Sequence, residues 1–185
     1  MSRILVCGPK SVGKSLLTYT FSRYLDHRKV SAKTVHLDPA AQRLSFLPDV
    51  DVRHSFKGDD AAEVLGRVFS DPFFTERLKA LDANVVLMDA PSGLDWLLFS
   101  KWPKFFEAPW LVTAQPASRH LVPALEDAVG VPVLNVVNQR QRLSGHQKTL
   151  SLFSLSEPKT EKTVFVNAWE REGFVELHQH AVTTH

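Results

Sequence analysis

One cysteine, no long apolar run and almost no net charge set the first limits on this chain. Cys7 has no second cysteine to pair with, which excludes a disulfide framework. Its place in the run Ile4-Leu5-Val6-Cys7 suits a small buried thiol in a reducing compartment. No stretch approaches the roughly 18 consecutive apolar residues that a bilayer-spanning helix needs. The chain passes from Met1-Ser2-Arg3 into a strand pattern without the succession of a signal peptide. A cytoplasmic protein with no membrane partner is therefore expected. The net charge of +2 and the pI near 8.7 do not point to nucleic acid, which would call for a clustered basic face, although they do not exclude it. Internal repeats and low-complexity segments are absent too. At 185 residues, 44% apolar and 23% charged, the chain has length for one full core and too little for two ordinary domains. A single domain over residues 1–185 is expected.

What is present reads as alternating strands and helices. Arg3 to Cys7 is a short buried strand, and Leu16, Leu17, Phe21 and Leu25 recur at helical spacing over Lys14 to Leu25. Ala32, Val35 and Leu37 mark a second strand that stops at Asp38-Pro39, because proline cannot continue a ladder. Asn84 to Asp89 is a continuous apolar run ending in an acid, as in a central parallel strand buried on both faces. Trp110 to Ala114, Pro132 to Val137 and Thr163 to Val166 read as further strands, Ser118 to Ala128 and Gly173 to His180 as helices, and Leu143 to Glu161 as a surface loop. His178, His180 and His185 read as a frayed, solvated tail rather than a metal site. The alternation predicts an α/β fold, a mainly parallel sheet with helices on both faces.

One segment carries a definite chemistry. Gly8-Pro9-Lys10-Ser11-Val12-Gly13-Lys14-Ser15 satisfies GxxxxGK[ST] at every fixed position, a match that average composition produces by chance in roughly one per cent of chains this long. The spacing fits phosphate. Glycines let the backbone N–H groups of Gly8, Lys10, Ser11, Val12 and Gly13 curl around the anion, Lys14 reaches the terminal phosphates, and the Ser15 hydroxyl ligates magnesium. The helix that follows aims its positive dipole end at the same charge. Asp89 and Asp38 end strands, where α/β sheets bind ligands, and two such carboxylates can face one Mg2+, directly or through water. Lys14, Asp38 and Asp89 are the candidate catalytic residues, Ser15, Asp38 and Asp89 the candidate metal ligands, and ATP or GTP with Mg2+ the expected cofactors.

From Gly8 through Arg53 the chain resembles the GPN-loop GTPases of the SIMIBI class of P-loop proteins. The likeness rests on GPKSVGKS, on SRYL closing the next helix, and on HLDPAAQRLSFLPDVDVR, similar to the family's NLDPA segment with its DIR-type ending. Weaker similarity continues at VVLMDAPSGL in place of DTPGQ, at VVNQRQ in place of NKxD, and at VNA in place of the final SA element. The resemblance implies that Asn138 and Gln141 lie at the nucleotide base. Three departures qualify it. No Gly-Pro-Asn tripeptide stands between Arg53 and Asn84, Leu94 follows Gly93 where the family has glutamine, and Gln139 and Gln141 replace the lysine and aspartate of NKxD. An amide cannot supply the doubly accepting carboxylate that reads guanine, and no side chain is evident to orient attacking water. Weak base preference and slow or absent hydrolysis follow.

Two other families resemble parts of the same stretch. GPKSVGKS and LDPAAQ are similar to segments of the polynucleotide 5'-hydroxyl kinases, with Arg140 and Arg142 in the place of a lid remnant. The turn DAPSGL resembles the MinD and ParA ATPases, whose signature lysine stands at the second loop position, where this chain has Pro9. Lys10, one place later, reads equally as a phosphate ligand, in its own or a partner subunit, and as a solvated lysine near an anion. Three functions are thus open: a slow ATP- or GTP-hydrolysing switch that contacts a partner protein or a second copy of itself, a catalytically inactive nucleotide-binding interaction module, and a polynucleotide kinase-like core. The aromatic segment 94–110, with Trp96, Phe99, Trp102, Phe105, Phe106 and Trp110, is either core or the contact surface for a homodimer or partner protein.

Overall fold

The computed structural model describes residues 1–8, 13–44, 46–58, 60–91, 110–113, 133–138, 163–168 and 172–182. Its centre is a seven-stranded sheet, β1 (Ser2–Cys7), β2 (Ala32–His36), β3 (Val50–Asp51), β4 (Val85–Asp89), β5 (Trp110–Thr113), β6 (Val133–Asn138) and β7 (Thr163–Val166). The strands lie in the order β3-β2-β4-β1-β5-β6-β7, and every pairing is parallel. Parallel neighbours need crossover connections, which is where the helices come from.

Helix α1 (Lys14–His27) turns Leu17, Phe21 and Leu25 inward at helical spacing. There they meet Phe174, Leu177 and Ala181 of α4 (Phe174–Ala181) and the sheet residues Ile4, Val6, Val85, Leu87, Leu134 and Val136. Helices α2 (Ala61–Ser70) and α3 (Pro72–Lys79) cover the other face, packing Val64, Leu65, Val68, Phe69, Phe74 and Leu78 on Leu5, Cys7, Val35, Leu37, Val86 and Met88. Strand β4 therefore gives alternate side chains to two cores, and this double burial explains its unbroken apolar sequence.

The expected α/β architecture is thus present. Helices α2 and α3 and the two-residue strand β3 are additions to the elements read from sequence. Asp60 and Asp71 accept backbone N–H bonds as caps of α2 and α3. The helix expected over Gly173 to His180 is present as α4, and it corrects the reading of its histidines as a frayed tail. His178 and His180 stand in α4 rather than in a frayed tail, because Phe174 and Leu177 anchor the helix to the core, and the His178 ring meets Tyr24 edge-on at 5.9 Å. The predicted helix 118–128 and loop 143–161 lie outside the described residues, as does segment 94–110 apart from Trp110 in β5.

Candidate functional site

The candidate site grows from the carboxyl ends of the adjacent strands β2, β4 and β1. Strand β1 ends at Cys7, and the chain leaves it through Gly8 at φ 139° and enters α1 through Gly13 at φ 88°. Both angles lie in the region that side chains with a Cβ disfavour, so glycine is required at the two ends of the turn. Gly13 caps α1 without a side chain and its carbonyl accepts the Leu17 N–H at 2.9 Å. Lys14 follows at once and is 4% exposed, with the half-buried Ser15 beside it.

Burial pushes the Cys7 thiol up to about 12, while the positive charge of Lys14 pulls weakly the other way. A thiol held neutral in this way is neither nucleophile nor metal ligand at neutral pH. Cys7 is accordingly core.

Asp89 ends β4 fully buried, in register with Val6 of β1 and His36 of β2. The backbone ties this corner together: Asp89 O accepts the Leu37 N–H, and Ala90 N–H donates to Val6 O, both at 2.9 Å. Oδ2 of Asp89 meets Nδ1 of His36 at 3.3 Å, whereas Oδ1 has no hydrogen-bond partner among the described residues. Asp38 stands two residues past β2 and accepts the Ala40 N–H at 2.9 Å. Ser15, His36, Asp38, Ala41, Arg43 and Ala90 are among the residues that line a cavity of about 410 Å3. A second ionic pair frames the loop on its far side. Arg53 grips Asp51 through Nε at 3.0 Å and through Nη2, and its Nη1 donates to Ala41 O at 2.6 Å.

The structure therefore brings Gly8, Gly13, Lys14, Ser15, Asp38 and Asp89 to one sheet edge. Lys10, Ser11, Val12 and Gln141 lie outside the described residues, and of Asn138 only the backbone place at the end of β6 is described. His36, Asp51 and Arg53 were not singled out from sequence. The signal was a histidine and an aspartate inside otherwise apolar strand segments, and only the strand register shows which partners they meet.

A magnesium ion is implied by the motif, and the chain's own groups fit one. A buried carboxylate oxygen with no partner is costly unless something satisfies it, and the hydration shell of a cation can do so at Asp89 Oδ1. Among the described residues no group of three or more His, Cys, Asp or Glu side chains gathers to hold a metal unaided. That also suits magnesium, which keeps several waters and takes one or two carboxylates together with phosphate oxygens.

Comparison with known proteins agrees with this geometry. A family profile described as "Conserved hypothetical ATP binding protein" matches residues 6–92. A GTPase in apo form from Pyrococcus abyssi shares the fold with a TM-score of 0.75 at 18% identity, over 96% of this chain and 95% of that one. These likenesses and the P-loop fold support a P-loop protein of the SIMIBI class. Within that class the sequence likeness is to GPN-loop proteins. It is 32% identical over 100 residues to GPN-loop GTPase 3 of Schizosaccharomyces pombe, 51% of this chain and 35% of that protein. To GPN-loop GTPase 3 of Aspergillus fumigatus it is 27% identical over 106 residues, 50% of this chain and 36% of that protein. The match thus spans little more than a third of either relative. No helix among the described residues is long and apolar enough to cross a membrane.

Proposed function

We propose that this chain is a single P-loop domain that binds ATP or GTP with Mg2+ and acts as a slow, nucleotide-dependent switch. The observation that carries the reading is the convergence of Lys14, Ser15 and Asp38 on one sheet edge beside Asp89, whose buried Oδ1 lacks a partner among the described residues. Backbone donors between Gly8 and Gly13 cradle the phosphates, Lys14 supplies the positive charge at their terminal end, and Ser15 ligates the metal. Asp89 and Asp38 take the metal's remaining waters. The metal supplies charge neutralisation on the phosphates. The sequence that follows Asp89 is the part through which the bound nucleotide is communicated to a partner protein or a second copy.

Slow turnover follows from the sequence departures. Phosphoryl transfer depends on positioning and electrostatics, and this chain has neither the Gly-Pro-Asn tripeptide between Arg53 and Asn84 nor a glutamine after Gly93. The same departures favour a second reading, in which the nucleotide is structural and the chain is a catalytically inactive interaction module. Names of relatives and profile mention both GTPase and ATP binding, and Gln141 in place of the base-reading acid supports acceptance of either. Calorimetric titration of wild type and Lys14→Ala with ATP and GTP in Mg2+ tests the site. The expected loss is at least about tenfold to a hundredfold in affinity, the worth of one charge-assisted contact. Unchanged affinity in the variant would refute the assignment.

A further inference from the structure

Strand register sets three polar residues side by side. His36 of β2 is in register with Asp51 of β3 and with Asp89 of β4, and register partners on parallel strands face the same side of the sheet. All three are buried, with 4% exposure or less, in a row that the sequence scatters over more than fifty positions. Asp51 is committed to Arg53, whose backbone N–H and guanidinium it accepts. The hydrogen bond of the His36 ring goes to the other side, to Asp89 Oδ2 at 3.3 Å.

The direction of this contact depends on the ring tautomer, and a carboxylate that holds a cation is ionised. An ionised carboxylate only accepts, so Nδ1 of His36 carries the proton and donates it, and in the neutral ring Nε2 is bare. Nε2 is buried and has no partner among the described residues, consistent with a ring held by its Nδ1 side alone. The terminal torsion of an aspartate is broad and nearly two-fold, so an unrestrained Asp89 carboxylate would exchange its oxygens. With Oδ2 taken by His36, Oδ1 is the oxygen left buried without a partner among the described residues.

We infer that His36 is a positioning residue: its Nδ1–H locks the Asp89 carboxylate so that Oδ1 is presented to the hydration shell of the nucleotide-bound Mg2+. This rests on the reading of Asp89 as the magnesium-side carboxylate. Partners that orient a metal-facing group in this way are worth about tenfold to a hundredfold in metal affinity, so His36 should govern how much Mg2+ improves nucleotide binding while leaving metal-free binding nearly unchanged.

Two measurements test it. Long-range 15N–1H NMR correlations on the nucleotide-free protein, assigned by the signal lost in His36→Asn, should show His36 protonated at Nδ1; an unprotonated Nδ1 overturns the inference. The second is the ratio of nucleotide Kd without and with Mg2+. His36→Asn places an amide nitrogen at the same bond distance from Cβ as Nδ1 and should keep the wild-type ratio within about threefold, whereas His36→Gln and His36→Leu should lose about tenfold of it or more. A ratio undiminished in Gln and Leu, or one that falls as far in Asn as in Leu, overturns the positioning role. Should Leu fail to fold, the Asn and Gln pair and the NMR measurement still decide. A wild-type ratio near one, or one that survives Asp89→Ala, instead overturns the magnesium reading of Asp89, and this inference with it.

Discussion

Arg53→Ala would strip Asp51 of its counter-ion and the loop after Asp38 of its tether in one step. Asp51 is 4% exposed and Arg53 25%. The guanidinium reaches both Asp51 oxygens and, through Nη1, the Ala41 carbonyl. Removing one partner of a buried pair costs about 3–5 kcal/mol, because the other charge is left uncompensated. Two features reduce that here. Asp51 keeps the backbone N–H of residue 53 at 3.0 Å, and water can enter where the partly exposed guanidinium stood, so about 2–3 kcal/mol is expected. For a chain of this size that lowers Tm by roughly 4–12 °C.

The pH dependence of that loss has a definite sign. Burial alone would raise the Asp51 carboxyl, but the hydrogen bonds and charge of Arg53 outweigh it and hold the group below the ordinary carboxylate value. A depressed folded value contributes stability that is present above the unfolded value of about 4 and is lost as pH falls through the folded one. In Arg53→Ala burial governs, the folded value rises, and protonation on acidification relieves the penalty. The stability gap between wild type and variant is therefore widest near pH 7 and narrows through about pH 4. Urea unfolding of both proteins without nucleotide at the two pH values measures it. A gap below about 0.5 kcal/mol at pH 7, the range of an ordinary surface substitution, or one that does not narrow with acid, would refute this account of the pair.

Competition binding should show less than about tenfold discrimination between ATP and GTP, or a preference for ATP, since a missing bidentate contact to the base is worth roughly 1–3 kcal/mol; a GTP preference above about a hundredfold would show that Gln141 or another residue reads guanine. Phosphate release per subunit should stay slow and flat as protein concentration rises, because a second copy brings no Gly-Pro-Asn loop, and a positioning group in such reactions is worth on the order of 10³ in rate. Rapid turnover that climbs with concentration and disappears in Asp38→Ala and Asp89→Ala would overturn that expectation. Cys7, with its thiol pushed up to about 12 and fully buried, should resist a maleimide at pH 8 in the native protein and react at once in denaturant; rapid native labelling would place it outside the core.

The segment from β1 to α1 was legible from sequence because everything that makes it is contiguous. An apolar strand, two glycines at the positive-φ ends of a turn, and Lys14 and Ser15 opening an amphipathic helix all fall between residues 2 and 27. Strand β4 was legible too, because a strand covered on both faces must be apolar throughout. Helix α2 carried a readable local signal, with Asp60 capping it and Val64, Leu65, Val68 and Phe69 at helical spacing, whereas β3 has only two residues, too few for any period to show. Sequence could place Asp38 and Asp89 at strand ends. Only the sheet order, which seats β2 directly beside β4, makes those ends neighbours. The pairing of His36 with Asp89 spans 53 positions, and the tether from Arg53 to Ala41 depends on a loop folding back over 12. Local pattern placed Gly8, Gly13, Lys14 and Ser15 on one strand-to-helix turn. Strand order and register decided which buried charges stand together, because parallel pairing joins residues that no local period connects.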